Sequence, residues 1–165
     1  MSRNIKEVTV TGDKNQKKHE GSLTPRLPAL TFNDGWLAAI DSIDSLMRPS
    51  RLSVKKGFYK DLIVVDSTLR KFRVIRAEKV GIRFDVGFRT LLRLLGGNPI
   101  WKMEITFDRP SSISLEEVKQ LISDCFLKNE DYWDEMSQLE EFRDRIASAD
   151  SVEEVFTSFR EFHLI

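Results

Sequence analysis

From Ile100 to Phe107 the chain alternates: Trp101, Met103, Ile105 and Phe107 fall on one side, Lys102, Glu104 and Thr106 on the other. A period of two predicts a strand, and the polar opposite side predicts a sheet buried on one face only. Leu62-Ile-Val-Val65 is a second β-branched run. Asp66-Ser-Thr-Leu-Arg70 follows as a turn, because Asp and Ser side chains bond their own nearby backbone. Lys71 to Arg76 returns with Phe72 and Val74 on one face and Arg73 on the other, so 62–76 reads as a hairpin.

Helical spacing governs the last third. Leu115, Val118, Leu121, Ile122, Cys125 and Phe126 form one stripe; Leu139, Phe142 and Ile146 a second; Val152, Val155, Phe156 and Phe159 a third. Each is preceded by a capping-box pattern: Ser114 with Glu117, Ser137 with Glu140, Ser151 with Glu154. Such a pair satisfies two orphan N–H donors at a helix start. Earlier, Trp36, Leu37, Ile40, Ile43 and Leu46 also fit a helical stripe. They predict a first helix over 34–47, capped by Asn33 or Asp34 and stopped by Pro49. Residues 81–95 fit either a helix ended by Gly96-Gly97 or a strand beginning near Val80. The expectation is an α+β fold: an antiparallel sheet of about three to five strands packed on helices, with a helical C-terminal third.

Residues 1–30 differ. Thr11 to Ser22 contains no large apolar side chain and cannot bury enough surface to offset its ordering entropy. Lys6 to Thr11 alternates and fits a short docking strand; Pro25 and Pro28 impose an extended path. The reading is a flexible arm over 1–30 and a single α+β domain over 31–165. The 165 residues suit one domain. No apolar run is long enough to span a membrane, and 1–21 lacks the apolar centre of a secretory signal. A cytoplasmic location in a reducing compartment is the expectation.

Charge changes the picture more than composition does. The whole chain carries 26 cationic and 26 acidic side chains, yet 48–93 holds thirteen against four and 94–165 holds seven against sixteen. Mutual neutralisation within the fold is the plain reading, and a one-signed partner surface the sharper one. The acidic candidate is Glu130, Asp131, Asp134 and Glu135, continued by Glu140 and Glu141, interleaved with Tyr132 and Trp133. Aromatic anchors ringed by charge suit a protein interface. The same two aromatics and Met136 also suit a core, and the core reading is favoured for the aromatics. The basic candidate is Arg70, Lys71, Arg73, Arg76 and Lys79, extended by Arg83, Arg89 and Arg93 near Phe72 and Phe84. That stretch could track a nucleic-acid backbone, although no recognised nucleic-acid signature supports it.

Catalytic chemistry finds little to build on. No phosphate-binding loop, dinucleotide glycine motif, nucleophile elbow or HExxH occurs. One cysteine excludes an intramolecular disulfide and a multi-cysteine metal site. Cys125 lies on an apolar stripe, and its candidate bases His19 and His163 sit near the two ends. No catalytic residue, metal ligand or cofactor is assigned.

The hairpin Leu62 to Arg76, the strand Ile100 to Phe107, and the helical close from Ser114 to Phe159, with Trp133 and the Ala147-Ser-Ala-Asp-Ser151 step, resemble the small immunity proteins of bacterial polymorphic toxin systems. The resemblance is one of size, layout and cadence over about 35–160. It implies a cytoplasmic, non-enzymatic toxin–antitoxin protein that binds a cognate toxin domain and occludes it. Because many such toxins are basic nucleases, it also implies that the acidic helical third faces the toxin. The alternatives are a nucleic-acid-associated module using residues 70–93, or a structural domain.

Overall fold

The computed structural model describes residues 8–10, 24–82, 99–136 and 138–162. The chain forms an α+β fold in which an antiparallel sheet packs against helices and the C-terminal third is helical. The strands are β1 (Val8–Val10), β2 (Ala29–Asn33), β3 (Trp36–Ile40), β4 (Ile63–Asp66), β5 (Arg70–Ile82), β6 (Trp101–Phe107) and β7 (Ser111–Ser112). Their order is β1-β6-β5-β4-β2-β3, with β7 beside the start of β5. The helices are α1 (Ile43–Met47), α2 (Arg51–Lys55), α3 (Leu115–Lys128), α4 (Glu130–Trp133), α5 (Leu139–Ser148) and α6 (Val152–Glu161).

The expected hairpin 62–76 is β4 and β5, with Phe72 and Val74 buried and Arg73 exposed. The alternating stretch at 100–107 is β6, which buries Met103, Ile105 and Phe107. The Lys6–Thr11 alternation contains β1, which pairs with β6. Strand β2 starts at Ala29, inside the stretch read as an arm. Strand β5 continues through Ile82; the rest of the ambiguous 81–95 segment lies outside the described residues. Two bulges, at Val74/Arg76 and Lys79/Gly81, interrupt its pairing with β6. A bulge adds one residue to one strand and bends it. Strand β5 thereby joins both halves of the sheet, pairing first with β4 and β7 and then with β6.

The first helix expected over 34–47 is not there. Its first half is strand β3, and only Ile43–Met47 is helical, capped by the Ser42 hydroxyl rather than by Asn33 or Asp34. The cause is the Asp34-Gly35 pair. Both residues have positive φ, 44° and 83°, the conformation of a two-residue turn whose twist matches antiparallel strands. Asn33 then faces Trp36, and pairing runs back to Ala29 opposite Ile40. The run Trp-Leu-Ala-Ala-Ile satisfies a period of two as well as 3.6, and the turn decides between them.

The expectation of one buried face also fails for the β2–β4 half. Leu30, Phe32, Leu37, Ala39 and Val65 pack against α3, α5 and α6, around Phe126, Trp133, Phe142 and Phe159. Ala29, Ile40, Leu62 and Val64 point the other way, into a second core with Leu46 and Met47 of α1 and the inner residues of β5 and β6. These strands lie between two apolar layers. Their near-continuous apolar sequence is that of a doubly covered sheet.

The helical stripes pack on the core as expected, with Leu115 and Leu121 half-buried at its margin. Ser114 and Glu117 complete their capping box. Ser151 accepts from Glu154 N–H, but the Glu154 carboxylate takes its bond from Asp150 N–H, so the return arm is displaced by one residue. The second box does not form as drawn: Gln138 occupies the cap position without a side-chain bond, and Ser137 lies outside the described residues.

One buried carboxylate ties the hairpin to the segment before β2. Asp66 is fully buried and accepts from Arg26 N–H, from Thr68 N–H and hydroxyl, and from Arg70 through its backbone, Nε and Nη2 at 2.6 Å. Burial alone pushes its carboxyl upward, but these bonds outweigh that and hold it below the usual carboxylate range. A depressed folded-state pKa gives stability that is present above the unfolded value and lost as pH falls through the folded one. Asp66→Asn should therefore destabilise the protein at pH 7 by about 3 kcal/mol. In urea unfolding, that deficit should shrink below about pH 4. A deficit unchanged by acid would show that the charge is not what Asp66 contributes.

Candidate functional site

The Asp34-Gly35 turn places Trp36 first in β3, and alternation turns it to the opposite face from Leu37. Leu37 is buried in the helical core, whereas Trp36 is 53% exposed. The helical layer meets the turn from outside. The indole N–H of Trp133, at the end of the one-turn helix α4, donates to the Gly35 carbonyl at 3.1 Å. Lys128 at the end of α3 pairs with Asp34 at 2.6 Å, which holds the Asp34 carboxyl below its ordinary value. Both groups are exposed, so the pair adds little stability. A Cβ on Gly35 would meet the Asn129 Cβ at 2.9 Å. The turn is clamped.

The clamp sorts the two aromatics of α4. Trp133 is buried and packs edge-on to Phe126, as the core reading held. Tyr132 is not: it is 46% exposed and lies against Trp36, with ring centroids 4.4 Å apart and planes at 56°. Among the described residues Trp36 and Tyr132 are the exposed aromatic side chains, and they touch. Sequence reading missed Trp36 because a helix would have turned it inward. The Asp-Gly pair was the signal that could have found it.

Glu130, Asp131, Asp134 and Glu135 flank Tyr132 in sequence and are all exposed, Glu130 at the edge of the groove between α3 and α5. Among the described residues no cation pairs with any of the four. Glu140 and Glu141 differ. They open α5, where Glu140 pairs with Arg143 at 2.8 Å and Glu141 lies 3.8 Å from Arg145. They belong to the solvated face of their own helix.

The described part of the basic candidate lies along β5, with much of its charge engaged within the fold. Arg70 is bound to Asp66 and covers the Phe72 ring. Arg76 pairs with Glu78, and Lys79 sits 4.4 Å over Trp101. Lys71 is half-buried and Arg73 exposed. Phe72 is core, and Trp101, half-buried beneath Lys79, is the ring beside these cations among the described residues. Phe84, Arg83, Arg89, Arg93 and both histidines lie outside the described residues.

Between α3 and α5 runs a groove of about 550 Å³ floored by Ile122, Phe126 and Ile146 and edged by Glu116, Lys119, Glu130 and Arg143. Lys119 is occupied by Glu116 and the Ala147 carbonyl. Among the described residues no group of His, Cys, Asp and Glu could hold a metal, and no helix is long and apolar enough to cross a membrane. Comparison with protein-family models, curated proteins and solved structures returns no match.

Cys125 is buried beneath the turn, its Sγ 3.7 Å from the Trp36 carbonyl. Burial pushes its thiol up to about 11. It should resist a chromogenic thiol reagent at pH 8 in the native protein and react fully in denaturant. Fast native-state reaction would show that the region opens. Gly35→Ala must hold a left-handed backbone and displace Asn129, and should cost about 2 kcal/mol or more. Denaturant unfolding measures it, and a neutral result would remove the clamp.

Proposed function

We propose that the chain is a non-catalytic protein-binding module of the immunity or inhibitor type, acting in the cytoplasm on a basic protein such as a toxin nuclease, which it neutralises by occlusion. The observation that carries this reading is the contact between the exposed Trp36 and Tyr132, flanked in sequence by four exposed carboxylates that no cation pairs with among the described residues. A rigid aromatic pair supplies area that can be desolvated at low entropic cost. Unpaired exposed carboxylates attract an opposite charge and raise the encounter rate. The resemblance of layout to immunity proteins supplies the class, and the acidic surface supplies the sign of the partner. Engagement of Arg70, Arg76 and Lys79 by Asp66, Glu78 and Trp101 disfavours the nucleic-acid alternative.

The test is rescue from toxicity. The protein encoded immediately beside this chain's gene is expressed with and without the chain. Relief of growth arrest, with a purified complex, is the expected result. Replacing Glu130, Asp131, Asp134 and Glu135 by Lys should slow association about tenfold or more at low salt and flatten its salt dependence. Unchanged kinetics remove the patch from the interface. Absence of both complex and rescue overturns the reading.

A further inference from the structure

Elsewhere in the fold the chain covers ring faces with its own cations. Arg70 lies 5.3 Å from the Phe72 centroid, Lys79 4.4 Å from Trp101, Arg143 5.4 Å from Phe126 and Arg145 5.9 Å from Phe162. Trp36 and Tyr132 are the most exposed aromatic rings described, and no cation of the described residues lies over either. Lys128, the nearby cation on α3, is drawn to Asp34. Two complements are therefore unmet at one place: a π face and a set of carboxylates.

We infer that this site receives an arginine side chain of the partner, its guanidinium laid on the Trp36–Tyr132 pair and bonded at its edge to the carboxylates of the α4 turn. This rests on the proposed function and names the anchor within it. Arginine fits both complements at once. Its planar, weakly hydrated cation stacks on an aromatic face while its N–H groups point outward in the ring plane toward acceptors. A lysine ammonium meets the carboxylates as a point charge but stays strongly hydrated and offers no plane to stack. A purely apolar anchor would leave the carboxylates without a partner at a desolvated edge. The clamp makes the receptor rigid: Trp36 follows a fixed turn, and Tyr132 precedes a buried Trp133.

The test uses the purified chain and capped Gly-Arg repeat peptides of six residues, with Gly-Lys and Gly-citrulline counterparts, titrated at low ionic strength where surface charges are least screened. Citrulline keeps the plane and loses the charge. The expected result is binding of the arginine peptide, weaker binding of the lysine peptide, and loss of about tenfold or more for citrulline. Trp36→Leu, which keeps apolar area without a π face, should weaken the arginine peptide about fivefold. Trp36→Phe should stay within about twofold. An unchanged melting temperature confirms that these exposed substitutions leave the fold intact. Equal binding of arginine and lysine peptides with a neutral Trp36→Leu overturns the anchor and reduces the site to charge alone. So does the absence of binding by every peptide. Rescue from toxicity can succeed in either case, so failure of the anchor is distinguishable from failure of the module.

Discussion

A single left-handed turn, Asp34-Gly35, is the constraint on which the proposed site depends. It converts an apolar run into a hairpin rather than a helix, and so decides which of its residues face the core. Only a residue without a Cβ fits beneath Asn129 at that φ. The Gly35 carbonyl then becomes the acceptor for a buried indole N–H, a donor that would cost free energy if left unpaired. The turn and Trp133 specify each other. Tyr132, one residue earlier on a one-turn helix, is left facing solvent beside Trp36.

The packing follows from having two cores. The helical layer covers one face of β2–β4, while α1 and the bent β5–β6 ribbon close over the other. The edge that carries Trp36 and Tyr132 sits where the helical layer reaches around the hairpin tip. A surface on a loop alone would spend binding energy on ordering itself; here the backbone is held by a sheet on one side and by α3 and α4 on the other. Asp66 acts similarly at the opposite end of the β2–β4 pair. It gathers the backbone of Arg26 and the side chain of Arg70 around one carboxylate and fixes where β2 begins.

Much of this was legible in the chain. The stripe at Val118, Ile122 and Phe126, the Ser114 box and the alternation at 101–107 each rest on local rules that tertiary packing reinforces. The 34–47 stretch was misread because Trp36, Leu37, Ile40 and Ile43 meet the helical period by coincidence, and no periodicity test can see a positive φ. Strand β2 is absent from the sequence reading because Ala29 and Leu30 follow Pro25 and Pro28 in the stretch read as an arm, and a run as short as Ala29 to Phe32 does not announce a strand by itself. The split between Trp133 and Tyr132 is a tertiary fact. One finds a carbonyl from a hairpin ninety-eight residues away, the other does not, and adjacent residues in a helix carry no mark of that difference. Charge counting found the lopsidedness but not its distribution. Glu140 and Glu141 have arginines three or four residues ahead on the same helix, a spacing that marks them as solvated helix charges.

The same comparison explains why charge alone is an insufficient description of the surface. Arg70, Arg76 and Lys79 engage Asp66, Glu78 and Trp101, so the described part of the basic segment is partly a structural one by contact. The acidic side is different in kind. Its four carboxylates, with no cation paired to them among the described residues, repel one another across the short α4 turn, which gives the free protein no stability. Such a cluster is compatible with a stable fold because the turn beneath it is fixed by Trp133 and Gly35 rather than by its own charges. The stabilising contact and the exposed charge are thus carried by neighbouring residues with separate tasks. The surface can change its charge without loosening the clamp, and the clamp can be tested without altering the charge.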